Sequence, residues 1–131
     1  MDPADRLIER CFAASPAVRY VAVYRRGDLR MRQRPGLVGA SASETDRYEE
    51  LLVNPTLLTL ARQRGEIDCG GLTYLLIRYG NFFTFIHPLR QGHVNAGFEL
   101  DADLDAVVET LRHVVADWSA SEDAAQPSNP D

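Results

Sequence analysis

Between residues 72 and 100 the chain alternates apolar runs with short turn segments, which predicts three strands in direct succession at 72–78, 81–87 and 93–100. The connections, Tyr79-Gly80-Asn81 and Arg90-Gln91-Gly92, are too short for crossover helices, so the strands must run antiparallel as a meander. In the third strand Val94, Ala96, Phe98 and Leu100 fall on one side, and His93, Asn95, Gly97 and Glu99 on the other. The first two are apolar on both sides, with Leu75, Leu76 and Ile77 in one and Phe82, Phe83, Phe85 and Ile86 in the other. Such strands need cover on both faces, which helices elsewhere in the chain have to provide.

Residues 5–14 place Leu7, Ile8, Cys11 and Phe12 on one helical stripe, and Ser15-Pro16 ends it. A β-branched and aromatic run at 18–24 and an alternating run at 28–34 form a hairpin across Arg25-Arg26-Gly27, with Arg30, Arg32 and Arg34 on one side of its second strand. A loop is expected over 35–42. Ser43, with Asp46 three residues on, resembles a capping box that opens a middle helix bearing Tyr48, Leu51, Leu52, Leu57, Leu58 and Leu60, and Gly65 is placed to close it. Within it Asn54-Pro55 marks either a kink or a fresh helical start. These leucines cover more than the one stripe that a sheet-covering helix needs, so a second protein surface is expected against them. The clearest helix is 101–118: Leu104, Val107, Val108, Leu111, Val114, Val115 and Trp118 recur at the three-four spacing, and Asp101, Asp103 and Asp105 crowd the first turn where the dipole favours them. Residues 119–131 contain two prolines and no aromatic or β-branched residue, which predicts a disordered tail after one domain at 1–118.

Charge changes the picture more than composition does. Residues 1–36 carry eight Arg against four acids, 37–98 five against six, and 99–131 one against nine, for a net of -5. That acidity argues against a nucleic-acid partner. All fourteen basic residues are Arg, so a P-loop lysine and Schiff-base chemistry are excluded. No run reaches the length of a membrane span and the first residues lack an apolar core, so a cytoplasmic protein with no membrane partner is expected. Cys11 and Cys69 are too few for a zinc site and read as reduced packing residues.

The order helix, two strands, helix, three strands, helix, with Gly27 in the first turn, the apolar meander and Asn95-Ala96-Gly97-Phe98 before a final amphipathic helix, resembles the Roadblock/LC7 family, a profilin-like α/β sandwich. The resemblance implies a five-stranded antiparallel sheet, the first and last helices on one face and the middle helix on the other. It implies a homodimer through the middle helix and the following strand, here Leu51, Leu52, Leu57, Leu58, Leu60 and Leu75. It also implies a non-enzymatic scaffold or regulator of Ras-like small GTPases, bacterial polarity GTPases among them, with no cofactor and no catalytic residues. Arg30, Arg32 and Arg34 would then form an outer edge strand, either protecting that edge or facing an acidic partner.

Four other features have simple readings. Glu109, His113 and Asp117, four residues apart, read as an exposed ion-pair ladder rather than an oriented base. His87 and His93 flank a turn and read as a solvated strand end, since two histidines make a poor metal site. Asp68-Cys69-Gly70-Gly71 has no adjacent cation to activate a thiol, and Arg26-Gly27-Asp28 is a turn. The alternative functional class is an acidic secretion-type chaperone dimer binding an unfolded effector segment, which would need a third strand in 35–42 before the middle helix.

Overall fold

The structure, a computed structural model, describes residues 1–37 and 42–125. It opens with α1 (Pro3–Ala14), whose start lies two residues before the expected Asp5. The Asp2 carboxylate accepts the Ala4 N–H at 2.8 Å, and Pro3 occupies the first turn, where its missing N–H is harmless. Strands β1 (Val18–Arg25) and β2 (Asp28–Gln33) follow across Arg26-Gly27. Both turn residues have positive φ, 52° and 82°, the mirror-image turn that matches strand twist and needs a residue such as Gly27.

The middle helix is one continuous unit made of α2 (Ser43–Tyr48), a π-helical turn (Glu49–Val53) and α3 (Asn54–Asp68), with right-handed helical dihedrals at both joins. Asn54-Pro55 therefore does not restart the helix. Ser43 is not the cap either: Ala42 occupies that position and no side chain caps the helix. Gly65 lies inside α3 rather than beyond it, and its carbonyl accepts the N–H groups of Cys69 and Gly71 at 3.1 and 3.0 Å.

The meander consists of β3 (Leu75–Arg78), β4 (Phe83–Leu89) and β5 (Gly92–Phe98), before α4 (Leu104–Ala125). The third strand of the chain is shorter than expected and the next two are shifted by up to two residues. The last helix starts at Leu104 rather than at the expected 101, and Asp103 just before it accepts the Ala106 N–H at 3.2 Å. That helix also runs seven residues past Trp118, where the tail was expected to begin; residues 126–131 of that tail lie outside the described residues. Buried Glu122 explains the extension, because its carboxylate lies 2.8 Å from Arg6 and 3.7 Å from Arg25 and ties the last turns to α1 and β1.

All strand pairings are antiparallel, in the order β2-β1-β5-β4-β3. On one face Val21, Val23, Phe85, Val94, Ala96 and Phe98 pack with Leu7, Ile8 and Cys11 of α1 and Val107, Leu111, Val115 and Trp118 of α4. The middle helix covers the other face. The architecture is thus the expected five-stranded antiparallel sheet with helices on both sides. What the alternation within β5 did not convey is that this strand is central, so its polar side is as buried as its apolar side. Of the two cysteines, Cys11 packs in the core, where burial pushes its thiol up to about 12, whereas Cys69 is exposed and is not a packing residue.

Candidate interaction surface

The middle helix has an outward apolar strip. Tyr48, Leu51, Leu52, Leu60 and Ile67 are between 43% and 75% exposed. Such a strip on one helix is the kind of apolar surface that marks an interaction site. Leu57 and Leu75 are half-buried, and Leu58, at 5% exposure, points inward and belongs to the protein's own interior rather than to an outer surface.

Beneath the strip lies a buried polar network. The Glu50 carboxylate, fully buried, is surrounded by four groups: Tyr20 Oη donates to Oε2 at 2.9 Å and Asn95 Nδ2 at 2.8 Å, while Asn54 Nδ2 donates to Oε1 at 2.9 Å and His93 Nε2 lies 2.8 Å from it. Thr84 Oγ1 in turn donates to Asn95 Oδ1 at 2.6 Å. A buried carboxylate is tolerable only when paired and hydrogen-bonded in this way, and leaving it with fewer partners would be strongly destabilising. Donors from β1, β5 and the helix itself thus converge on one side chain. His93 is 1% exposed, which corrects its reading as a solvated strand end: it opposes Pro88 across the ladder while His87 opposes Val94, so the two histidines lie on opposite faces of the sheet.

The π turn brings these residues into line. An α-helix advances about 100° per residue, so four-residue steps drift by about 40° each and would carry Asp46 about 120° away from Leu58. A π turn accommodates one extra residue and sets the helix back by about 100°, which brings Asp46 to within about 20° of Leu58 and keeps Glu50 and Asn54 on the same inner strip. All four are buried. The same correction aligns Tyr48 with Leu60, twelve residues on, to within about 20° on the outer side. The turn is recorded in the Asn54 N–H, which donates to the Glu49 carbonyl five residues back. Pro55 favours the wide turn, because it has no N–H to donate and its ring would crowd the carbonyl four residues earlier.

Three acids thus crowd the start of this helix against the sheet. Asp46 accepts a hydrogen bond from Gln33 Nε2 at 3.0 Å. Burial, reinforced by the charges of Glu50 and Asp46, pushes the Glu49 carboxyl up to about 7. The Tyr20 phenol is raised well above its ordinary range by burial and then by the Glu50 charge. Glu49 Oε1 and Asn54 Oδ1 are buried without a hydrogen-bond partner among the described residues.

The remaining sites are structural. Arg30 pairs with Asp5 at 2.9 Å and Asp28 at 3.0 Å, Arg32 stacks over Phe12 at 5.0 Å, and Arg34 reaches Glu99 at 3.0 Å, so this arginine row on the β2 edge also fastens that strand to α1 and to the end of β5. In the ladder on α4, exposed His113 meets Glu109 at 3.0 Å, but Asp117 turns to Arg10 at 2.8 Å. Exposed Cys69 donates its S–H to Asp68 Oδ1 at 3.4 Å. Among the described residues no cluster of His, Cys, Asp and Glu could hold a metal ion, and no helix is long and apolar enough to cross a membrane. Sequence reasoning gave Glu50, Asn54, Asn95 and Tyr20 no part in a site. The available signal was the four-residue spacing of Asp46, Glu50 and Asn54 together with the polar side of a strand central to the meander.

Solved structures superpose on this fold over most of its length. One, described as MglB with a tetrameric arrangement, superposes with a TM-score of 0.70 at 13% identity, covering 96% of this chain and 94% of that one. A Roadblock/LC7 domain from Streptomyces avermitilis gives 0.61 at 15% identity, covering 94% and 93%. The chain has the Roadblock/LC7 fold. MglC from Myxococcus xanthus has a similar structure, with a TM-score of 0.60 at 10% identity over 92% of this chain and 99% of that one. By sequence the chain matches no family model and no curated protein. In Roadblock/LC7 terms the apolar strip and the Glu50 network are the outer and inner sides of the middle helix.

Proposed function

We propose that this protein is a non-enzymatic regulatory or scaffold module, a homodimer formed through the outer strip of the middle helix, that binds a small Ras-like GTPase or another signalling protein. The observation that carries this reading is the exposed strip of Tyr48, Leu51, Leu52, Leu60 and Ile67 on a protein with the Roadblock/LC7 fold. Likeness to MglB and MglC supports a place among GTPase-pathway regulators, and the tetrameric arrangement named for MglB supports self-association. Leu57, on the same helix, and Leu75, on edge strand β3, are half-buried. The chaperone reading has no comparable support: residues 35–37 and 42 contribute no strand, and the residues between them lie outside those described.

Sedimentation equilibrium across a wide concentration range tests the dimer. A dimer that Leu60→Asp converts to a folded monomer supports the reading, and a wild-type monomer at high micromolar concentration defeats it. Partner class is tested by capture on immobilised small GTPases loaded with GDP or a GTP analogue; the reading requires binding that depends on the nucleotide and is lost in Leu60→Asp.

A further inference from the structure

We propose that Glu50 is the positioning residue of the docking face, holding the middle helix in its π turn so that the outer apolar residues lie in one strip. This deepens the dimer reading and rests on it for its functional consequence. Three observations meet at this residue. Glu50 lies within the π turn, between the helix and the two central strands. Its carboxylate is contacted from β1 by Tyr20, from β5 by His93 and Asn95, and from the first residue of α3 by Asn54. Asn54 also supplies the backbone N–H that reaches five residues back to Glu49.

The carboxylate is therefore an anchor on the sheet side and a clasp across the turn. In an uninterrupted α-helix Asn54 and Leu58 could face the sheet, but Asp46 would rotate by about 100° toward solvent and Tyr48 by the same angle away from Leu60. Keeping Glu50 on its four partners keeps the extra residue inside the turn, because rotating the carboxylate out would strand four buried polar groups. Pro55 removes one competing α-helical bond but has no side-chain polar group to offer the sheet, so it favours the turn without fixing its rotation.

Glu50→Gln tests this. Its amide removes the charge and puts an NH2 group in place of one carboxylate oxygen, so the Asn95 or Asn54 NH2 group that faced that oxygen must lose its acceptor or turn over, at constant size. Two readouts are taken: the dimer dissociation constant by sedimentation, and the NMR coupling through the Asn54 N–H hydrogen bond. In the wild type that coupling should connect to the Glu49 carbonyl. In Glu50→Gln it should move to the carbonyl of residue 50, and the dissociation constant should rise at least tenfold while the far-UV circular dichroism stays helical.

Removing Val53 from the Glu50→Gln chain deletes the extra residue and should restore tight dimers. Pro55→Ala, with Glu50 intact, should keep the coupling to Glu49. If Glu50→Gln does not fold, Tyr20→Phe, which removes one donor, should weaken the dimer about threefold or more and populate both couplings. A folded Glu50→Gln that retains the Glu49 coupling and the wild-type dissociation constant overturns the proposal, as does loss of that coupling in Pro55→Ala. A monomeric wild type defeats the dimer reading alone, since the coupling still reports whether Glu50 holds the turn.

Discussion

Glu49 should make the protein less stable as the pH rises toward neutrality, and Glu49→Gln should remove that dependence. The side chain is half-buried at the head of the π turn, with one carboxylate oxygen buried and without a hydrogen-bond partner among the described residues, and with Glu50 and Asp46 as acidic neighbours. Burial first, then those two charges, lift its carboxyl from 4.5 to about 7. In the folded protein the proton is therefore held where the unfolded chain has already released it. The stabilising protonated state is complete below pH 4.5, and its contribution is lost as the pH rises through about 7. At about 1.36 kcal/mol per pH unit this interval corresponds to about 3.4 kcal/mol, and solvent access to a half-buried carboxylate reduces it to roughly 1–2 kcal/mol. Urea unfolding of wild type and Glu49→Gln at pH 5, 6, 7 and 8, at one protein concentration, measures it. The variant should match the wild type near pH 5 and exceed it by roughly 1–2 kcal/mol at pH 8. Parallel stability curves across this range, with no convergence at low pH, would refute the reasoning.

Other substitutions probe the rest of the fold. His93→Leu leaves the Glu50 carboxylate short of a partner in a dry site and should lower stability by about 3 kcal/mol or more in chemical denaturation. Gly92→Ala should abolish the β1–β5 ladder end, since a Cβ there would overlap the Tyr24 backbone, and the loss should appear as aggregation or a missing cooperative melt. Glu122→Gln weakens the ties to Arg6 and Arg25 and should reduce stability by about 1 kcal/mol, with faster amide exchange confined to the last turns of α4.

Local patterning was enough for much of this architecture. Period-two and period-three-four hydrophobicity depend only on neighbours along the chain, so the meander, the glycine hairpin, the last helix and the order of elements could be read before any contact was known. The excess leucine of the middle helix was legible for the same reason, and most of those side chains do face outward. Which strand sits at the centre of the sheet is a different kind of fact. It depends on β1 returning to pair with β5, across more than sixty residues of chain, and only that pairing buries His93 and Asn95 on a side that alternation alone marks as polar and solvated. The π turn is decided at the same level. Propensity sees in Asn54-Pro55 a break, whereas the convergence of Tyr20, His93 and Asn95 on Glu50 makes a continuous, wider turn the arrangement that satisfies every donor. The extension of α4 follows this logic too, because the polar residues after Trp118 look like a tail until Arg6 and Arg25, far away in sequence, give Glu122 a reason to stay helical.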